Sequence, residues 1–303
     1  MERLVRLNRA GAVGDYRLLR CLTAPRPLDK PQLYFTQNLT QMQRTQQPAV
    51  IKFLCGSSHA EQAGFLNERQ VLSHLNQVAS PHWLPLLDSG GALWVNSTSS
   101  SFSARESSEQ TAYYVDYILL PYHSDFNVKQ LMQLSSFNVK QAWQLWQAML
   151  KSIDALHQQG WLHLDLKPSN FLFFSFDQVC LIDFALAQRI DPPKLSSDIL
   201  LTQGTPKYMS PEQFLAQPLN QQTDFYALGL ILYELLTGKS PFTVTNYSTY
   251  ATWAQQHCQH PVPLLPTDLA QFQRLIDGLL AKNRHYRLKN RADIQQCVGQ
   301  IAP

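Results

Sequence analysis

The spacing of apolar and polar residues divides the chain into a strand-rich first part and a helix-rich second part. Tyr16 to Leu22, Leu33 to Leu39 and Ala49 to Leu54 are short runs rich in apolar and aromatic residues, bounded by Pro, Asp, Asn and Gln, and they predict strands. Phe65, Glu68, Leu72 and Leu75 recur at helical spacing, so a helix over 65–75 interrupts them. Asn96 to Thr111 is dense in serine and reads as a mobile connection. Tyr113 to Leu120 is strongly β-prone and ends at Pro121-Tyr122. Beyond it, Leu145, Trp146, Met149, Ile153 and Leu156 line one face of a long helix that stops at Gly160, with Trp143 and Trp146 read as core. Phe171 to Phe174 and Val179 to Ile182 predict two strands around a turn at Asp177. Helical patterns follow at Asp224 to Leu236 and at Leu269 to Leu280. Strands first and helices afterwards make an α+β chain of two lobes.

Composition excludes several alternatives. The chain has 303 residues, 45% of them hydrophobic, which is enough for a large buried core. A formal charge of +3 gives no reason to expect a nucleic-acid or membrane partner. Five scattered cysteines with no Cys-x-x-Cys pair read as reduced thiols rather than a disulfide framework or zinc site. Met1-Glu2-Arg3, with Arg6 and Arg9 close behind, does not read as a signal peptide. The longest apolar run, Ala227 to Leu236, is too short to span a bilayer and contains Glu234. A cytoplasmic protein is expected.

The chemistry concentrates in His163-Leu-Asp165-Leu-Lys167-Pro-Ser-Asn170, followed thirteen residues after its asparagine by Asp183-Phe184-Ala185. An acid, a cation, an amide and a second carboxylate at these offsets suit a site for magnesium, a nucleoside triphosphate and an attacking hydroxyl. Four such fixed positions, His-x-Asp-x-Lys-x-x-Asn, arise by chance on the order of 10⁻³ times per chain of this length. Taken alone, the stretch indicates some phosphotransferase.

With its companions, the sequence resembles the eukaryotic-type serine/threonine protein kinases, from about Tyr16 to the C-terminus. Ala49-Val50-Ile51-Lys52 is similar to that family's strand whose lysine pairs the α- and β-phosphates, with Glu68 as its partner on the next helix. The resemblance implies that Asp165 orients the hydroxyl, that Lys167 neutralises developing charge, and that Asn170 and Asp183 ligate Mg2+. Val50 and Leu172 would sandwich the adenine of ATP. Leu120 to His123, including Tyr122, would be the hinge facing its edge, with Leu120 guarding a back pocket. His163 is expected to pack under Phe184.

Gly204 to Glu212 resembles the segment closing the activation loop, and Asp224 to Gly229 the start of a buried helix, with Arg287 clamping Glu212. These last features favour a protein acceptor over a small molecule, and Lys167 with Thr205 favours serine or threonine hydroxyls. The domains implied are an N-terminal extension over 1–15, an N-lobe over 16–122 whose residues 96–112 form the serine-rich loop, and a C-lobe over 123–303. The oligomeric state is left open.

Three departures accompany the resemblance. Thr23 to Gln32, where glycines would let backbone N–H groups reach phosphate, contains none, and Pro25, Pro27 and Pro31 remove donors. Gly11 and Gly14 lie too far before Lys52 to substitute, which leaves Arg26 or Lys30 as replacement charges or simply as solvated residues. Ala185 stands where the family has glycine, and Leu164 where an arginine often reads a phosphate on the activation loop. Ser196, Ser197 and Thr202 remain modifiable. The alternative function is therefore a pseudokinase, a binding or scaffold module with weak or absent catalysis.

Overall fold

The computed structural model describes residues 3–9, 12–22, 30–38, 48–54, 58–95, 112–123, 126–134, 137–190, 203–244 and 249–301. They fall into two compact units, 1–79 with 84–124, and 80–83 with 125–303.

The first unit is a closed antiparallel barrel with one helix. Its strands are β1 (Arg3–Arg9), β2 (Ala12–Cys21), β3 (Gln32–Asn38), β4 (Ala49–Leu54), β5 (Asp88–Val95) and β6 (Ala112–Pro121), and the helix is α1 (His59–Leu75). The order around the barrel is β1-β2-β3-β4-β6-β5, closed where β1 pairs with β5. Alternation in β4 buries Ala49, Ile51 and Phe53 in the barrel core with Tyr34, Val115, Tyr117 and Leu119, and turns Val50 and Lys52 to the opposite face.

The stretch 1–15, expected as an extension, carries β1 and the beginning of β2. Its alternation is masked by arginines, and barrel closure supplies the pairing. β5 also escapes the apolar pattern because Gly90 and Gly91 read as a turn. In the barrel the Tyr114 ring lies over Gly91 and occupies the space a Cβ would need. α1 begins at His59, six residues before its apolar stripe, because its first turns are mostly exposed.

The second unit contains α2 (Val128–Leu134), α3 (Val139–Gln158), β7 (Trp161–Leu162), β8 (Phe171–Ser175), β9 (Gln178–Leu181), β10 (Gln188–Arg189), α4 (Pro211–Phe214), α5 (Gln221–Thr237), α6 (Tyr250–Cys258), α7 (Gln273–Leu280) and α8 (Arg291–Val298). Asn138 caps α3 reciprocally with Gln141, and Gly160 at φ 78° ends that helix. α3 and α5 form the core. Trp143 and Trp146 stack at 5.2 Å, and Trp146 Nε1 donates to Leu228 O at 2.9 Å. Both tryptophans are core residues. The pattern at 269–280 resolves into a 3₁₀ stretch, Thr267–Phe272, running into α7. β8 and β9 form a hairpin turning at Phe176-Asp177 that carries the chain from Asn170 to Asp183.

Candidate active site

In the first unit, β4 presents Lys52 and α1 presents Glu68. Lys52 Nζ donates to Glu68 Oε2 at 2.5 Å, with the lysine side chain 18% exposed and the carboxylate 3%. The glutamate belongs to the apolar stripe of α1, so the helix fixes it and the ion pair fixes the lysine. Val50 is two residues from Lys52 on the same face and pairs across the ladder with Leu120. Both are half-buried. Tyr122 N donates to Pro48 O at 2.8 Å, and its ring meets Phe35 edge-on at 4.6 Å. His123 follows, half-buried. Lys30 is not simply solvated, since its ammonium is bonded to Glu61 on α1. Arg26 and the rest of 23–29 lie outside the described residues, as do 96–111 and the modifiable Ser196, Ser197 and Thr202.

In the second unit, the segment between β7 and β8 is shaped from below by one buried carboxylate. Asp224, 1% exposed at the start of α5, accepts from the backbone N–H of His163 and of Leu164, both at 2.9 Å, and contacts His157 Nε2 at 2.8 Å. Burial pushes the Asp224 carboxyl up, but His157, His163 and the backbone donor together hold its pKa below the usual aspartate value. Leu164 sits in the left-handed region at φ 65°, a strained place for a side chain. Its N–H is held by Asp224, and its carbonyl accepts from Gln213 Nε2 at 2.9 Å. The strain is thus clamped from two sides, and it turns the next residue, Asp165, outward from this anchor.

Asp165 is the centre of a side-chain network. Lys167 Nζ donates to its Oδ2 at 2.5 Å, while Thr205 donates to its Oδ1 through both N–H (2.9 Å) and Oγ1 (2.8 Å). Lys167 also reaches Thr205 Oγ1 at 3.0 Å. Asn170 Nδ2 donates to the Asp165 carbonyl at 2.9 Å, which leaves the amide oxygen as its acceptor end. Ile182 N in turn donates to Asn170 O at 3.0 Å, so the residue before Asp183 is tied to Asn170. Asp183 has φ 67°, a second non-glycine residue in the left-handed region. His163, fully buried, faces Phe184 at 5.5 Å and contacts Ile182 O through Nε2 at 3.2 Å, the packing role expected of it. Leu172 lies in β8, two residues beyond Asn170, half-buried and bridged to Asn127.

These donors fit a hard cation. An amide oxygen and a carboxylate on neighbouring segments are the partial oxygen set that magnesium takes, since it keeps waters and substrate phosphates for its other positions. Among the described residues no group of three or more His, Cys, Asp or Glu is placed to hold a metal ion, so the oxygen set is limited to the amide and the carboxylate.

The sequence placed Lys52 with Glu68 and Asp165 with Lys167 and Asn170. It marked Thr205 only as a class feature. The structure adds that Thr205 grips Asp165 directly, across a separation of 40 residues. Gln213 was not singled out at all. Its signal lies in Ser210-Pro211-Glu212-Gln213, a capping box that starts α4, in which Gln213 also supports Leu164.

Residues 39–300 match the model of the protein kinase domain, and the chain belongs to that family. Its bilobal α+β organisation and its serine/threonine-type motifs agree with this. Among curated relatives, serine/threonine-protein kinase PknA of Mycobacterium tuberculosis is 31% identical over 152 residues, 50% of this chain and 34% of that protein. A probable serine/threonine-protein kinase PknB of Lactococcus lactis is 30% identical over 155 residues, 51% of this chain and 24% of that protein. Serine/threonine-protein kinase TIO of Arabidopsis thaliana is 36% identical over 142 residues, 46% of this chain and 10% of that protein. The chain therefore spans about a third or less of the length of these relatives. Among the described residues, no helix is long and apolar enough to cross a membrane.

Proposed function

We propose that this chain is an ATP-dependent protein kinase that phosphorylates serine and threonine hydroxyls of protein substrates in the cytoplasm. The observation that carries the reading is the network on Asp165. A carboxylate held by Lys167 and Thr205, and built on a clamped backbone turn, is positioned to accept a hydrogen bond from an incoming hydroxyl. Asp165 orients that hydroxyl and takes its proton. Lys167, already within 2.5 Å of Asp165, supplies positive charge where negative charge grows on the transferring group. Lys52, held by Glu68, would bind the α- and β-phosphates, and Asn170 and Asp183 would hold Mg2+. The family resemblance assigns Val50, Leu120 and Leu172 to the adenine of ATP and the backbone of Tyr122 and His123 to its edge. ATP, when bound, would supply the phosphoryl group, and a magnesium ion would offset its charge.

The departures that motivated a scaffold reading, the glycine-free stretch 23–32 and Ala185, concern phosphate positioning and the freedom of a hinge. The charged groups that act on the transition state are all present, and no observation on the described residues favours the scaffold. The test is incorporation of labelled phosphate from ATP and magnesium into a generic protein substrate, followed by phosphoamino-acid analysis. Wild type is expected to label serine and threonine, and Asp165→Ala to fall by about 10²–10⁴-fold. Equal labelling by wild type and variant would overturn the enzyme reading, and a ligand-induced thermal shift with ATP and magnesium would then measure what binding remains.

A further inference from the structure

The second unit also contains a cavity of about 650 Å³ that uses none of the residues assigned to phosphoryl transfer. Its walls are the start of α4, the turn after it, the beginning of α5 and the connection 282–289 between α7 and α8. Lys282, Arg284, His285 and Lys289 line it, against one acid, Glu212. That acid is already committed. Arg287 holds its two oxygens at 2.7 and 3.0 Å, and Thr223 Oγ1 donates to it at 3.0 Å. Among the described residues, no carboxylate pairs with the side chains of Lys282, Arg284 or Lys289, although Asp293 Oδ2 accepts from the Lys289 backbone N–H at 2.9 Å.

A run of exposed cations is usually a solvated face. Here the wall that carries them is held rigid. Gln222 Nε2, from α5, donates to the carbonyls of Arg284, Arg287 and Leu288 at 2.9, 3.1 and 3.3 Å. Arg284 is anchored by one guanidinium nitrogen to Pro218 O, which leaves the rest of its fork for another acceptor. The Lys282 ammonium rests 4.1 Å from the Phe242 ring centre and 3.4 Å from Tyr226 Oη. Burial pushes its pKa down to about 8, a cost that a nearby anion would relieve. Leu215, 56% exposed, adds an apolar rim.

We propose that this cavity binds a phosphoserine- or phosphothreonine-bearing segment of a protein partner, with Arg284 and Lys289 meeting the phosphoryl oxygens. A phosphoryl dianion offers three strong acceptors to a fixed fork and two ammonium groups, whereas a carboxylate would satisfy only the fork. The volume exceeds a single phosphoryl group, and Leu215 provides contact for a neighbouring apolar residue. The inference goes beyond the kinase reading and needs no turnover.

Fluorescence anisotropy without nucleotide tests it, using a dye-labelled phosphothreonine peptide with an apolar neighbour and its unphosphorylated twin. The phosphorylated peptide is expected to bind roughly ten-fold tighter or more, as charge-assisted hydrogen bonds require. Arg284→Glu and Lys289→Glu should each abolish that preference, while Asp165→Ala, inactive in the kinase assay, should keep it. Equal binding of the two peptides, or a preference unmoved by both charge reversals, overturns the proposal. So does free inorganic phosphate binding as tightly as the phosphopeptide, which would leave a simple ion site. If Arg284→Glu unfolds through loss of its Pro218 tether, Lys289→Glu decides, because its side chain makes no bond among the described residues.

Discussion

Two ion pairs of similar geometry, one in each unit, serve opposite ends. Lys52 and Glu68 meet at 2.5 Å with the lysine 18% exposed, so one partner still faces water. Arg287 and Glu212 meet through two bonds, with side chains 0% and 1% exposed. The arginine also donates to the carbonyls of Ala281 and Gln222, so its charge is fully consumed inside the fold. A buried pair of this kind adds little net stability over an apolar isostere, but losing one partner strands the other. The half-open pair keeps its lysine partly open to water, which the proposed phosphate contact requires. Exposure, more than bond length, separates the clamp from the working group.

The comparison breaks most visibly at Glu212. Glu212→Ala leaves the Arg287 guanidinium buried without its carboxylate, and the expected loss is about 3–5 kcal/mol of unfolding free energy, read from a denaturant midpoint. A loss below about 1 kcal/mol would mean that the pair is not a clamp. Lys52→Met should reverse the balance. Phosphate transfer should drop by about 10²–10³-fold, while stability falls by less than in Glu212→Ala, because Glu68 is buried but the lysine side of the pair opens to water. If instead the variant unfolds readily and turns over normally, the two pairs have been assigned the wrong way round.

The smallest effect concerns acid. Burial alone raises the Glu212 pKa, but the Arg287 bonds and charge, its own backbone N–H and Thr223 outweigh it, and the folded value lies below the ordinary 4.5. A carboxyl depressed on folding stabilises the fold fully above its unfolded pKa and loses that contribution as pH falls through the folded one. The stability difference between wild type and Glu212→Gln should therefore be constant near neutrality and shrink steadily below pH 4.5. A difference that grows on acidification would contradict the sign.

Much of this was legible along the chain. Local order carries the motif that holds Asp165, Lys167 and Asn170, because its offsets lie within one short segment. The stripe on α1 identified Glu68, since a carboxylate inside an apolar periodicity is conspicuous. The strand β4 was readable because alternation and a terminal lysine coincide there. β1 was not, because arginines obscure its alternation and its role depends on meeting β5, more than 80 residues away. β5 was missed for a different reason. Two adjacent glycines are turn residues in isolation, and only the fold sets the Tyr117 ring beside Gly90 and the Tyr114 ring over Gly91.

By itself the sequence determined the family, the residues of the candidate site and the order of strands before helices, because each rests on residue type at short fixed spacing. Tertiary structure alone decided how those groups are held. Thr205 approaches Asp165 from 40 positions away, Asp224 fastens two backbone N–H groups of the strained turn from 60 away, and Gln213 supports Leu164 from 49. The cationic cavity, too, appears only when 282–289 folds against α4 and α5. Periodicity records which face of an element is buried. It carries no record of which distant side chain will meet it there, since that depends on the packing of α3 against α5 and the closure of the barrel.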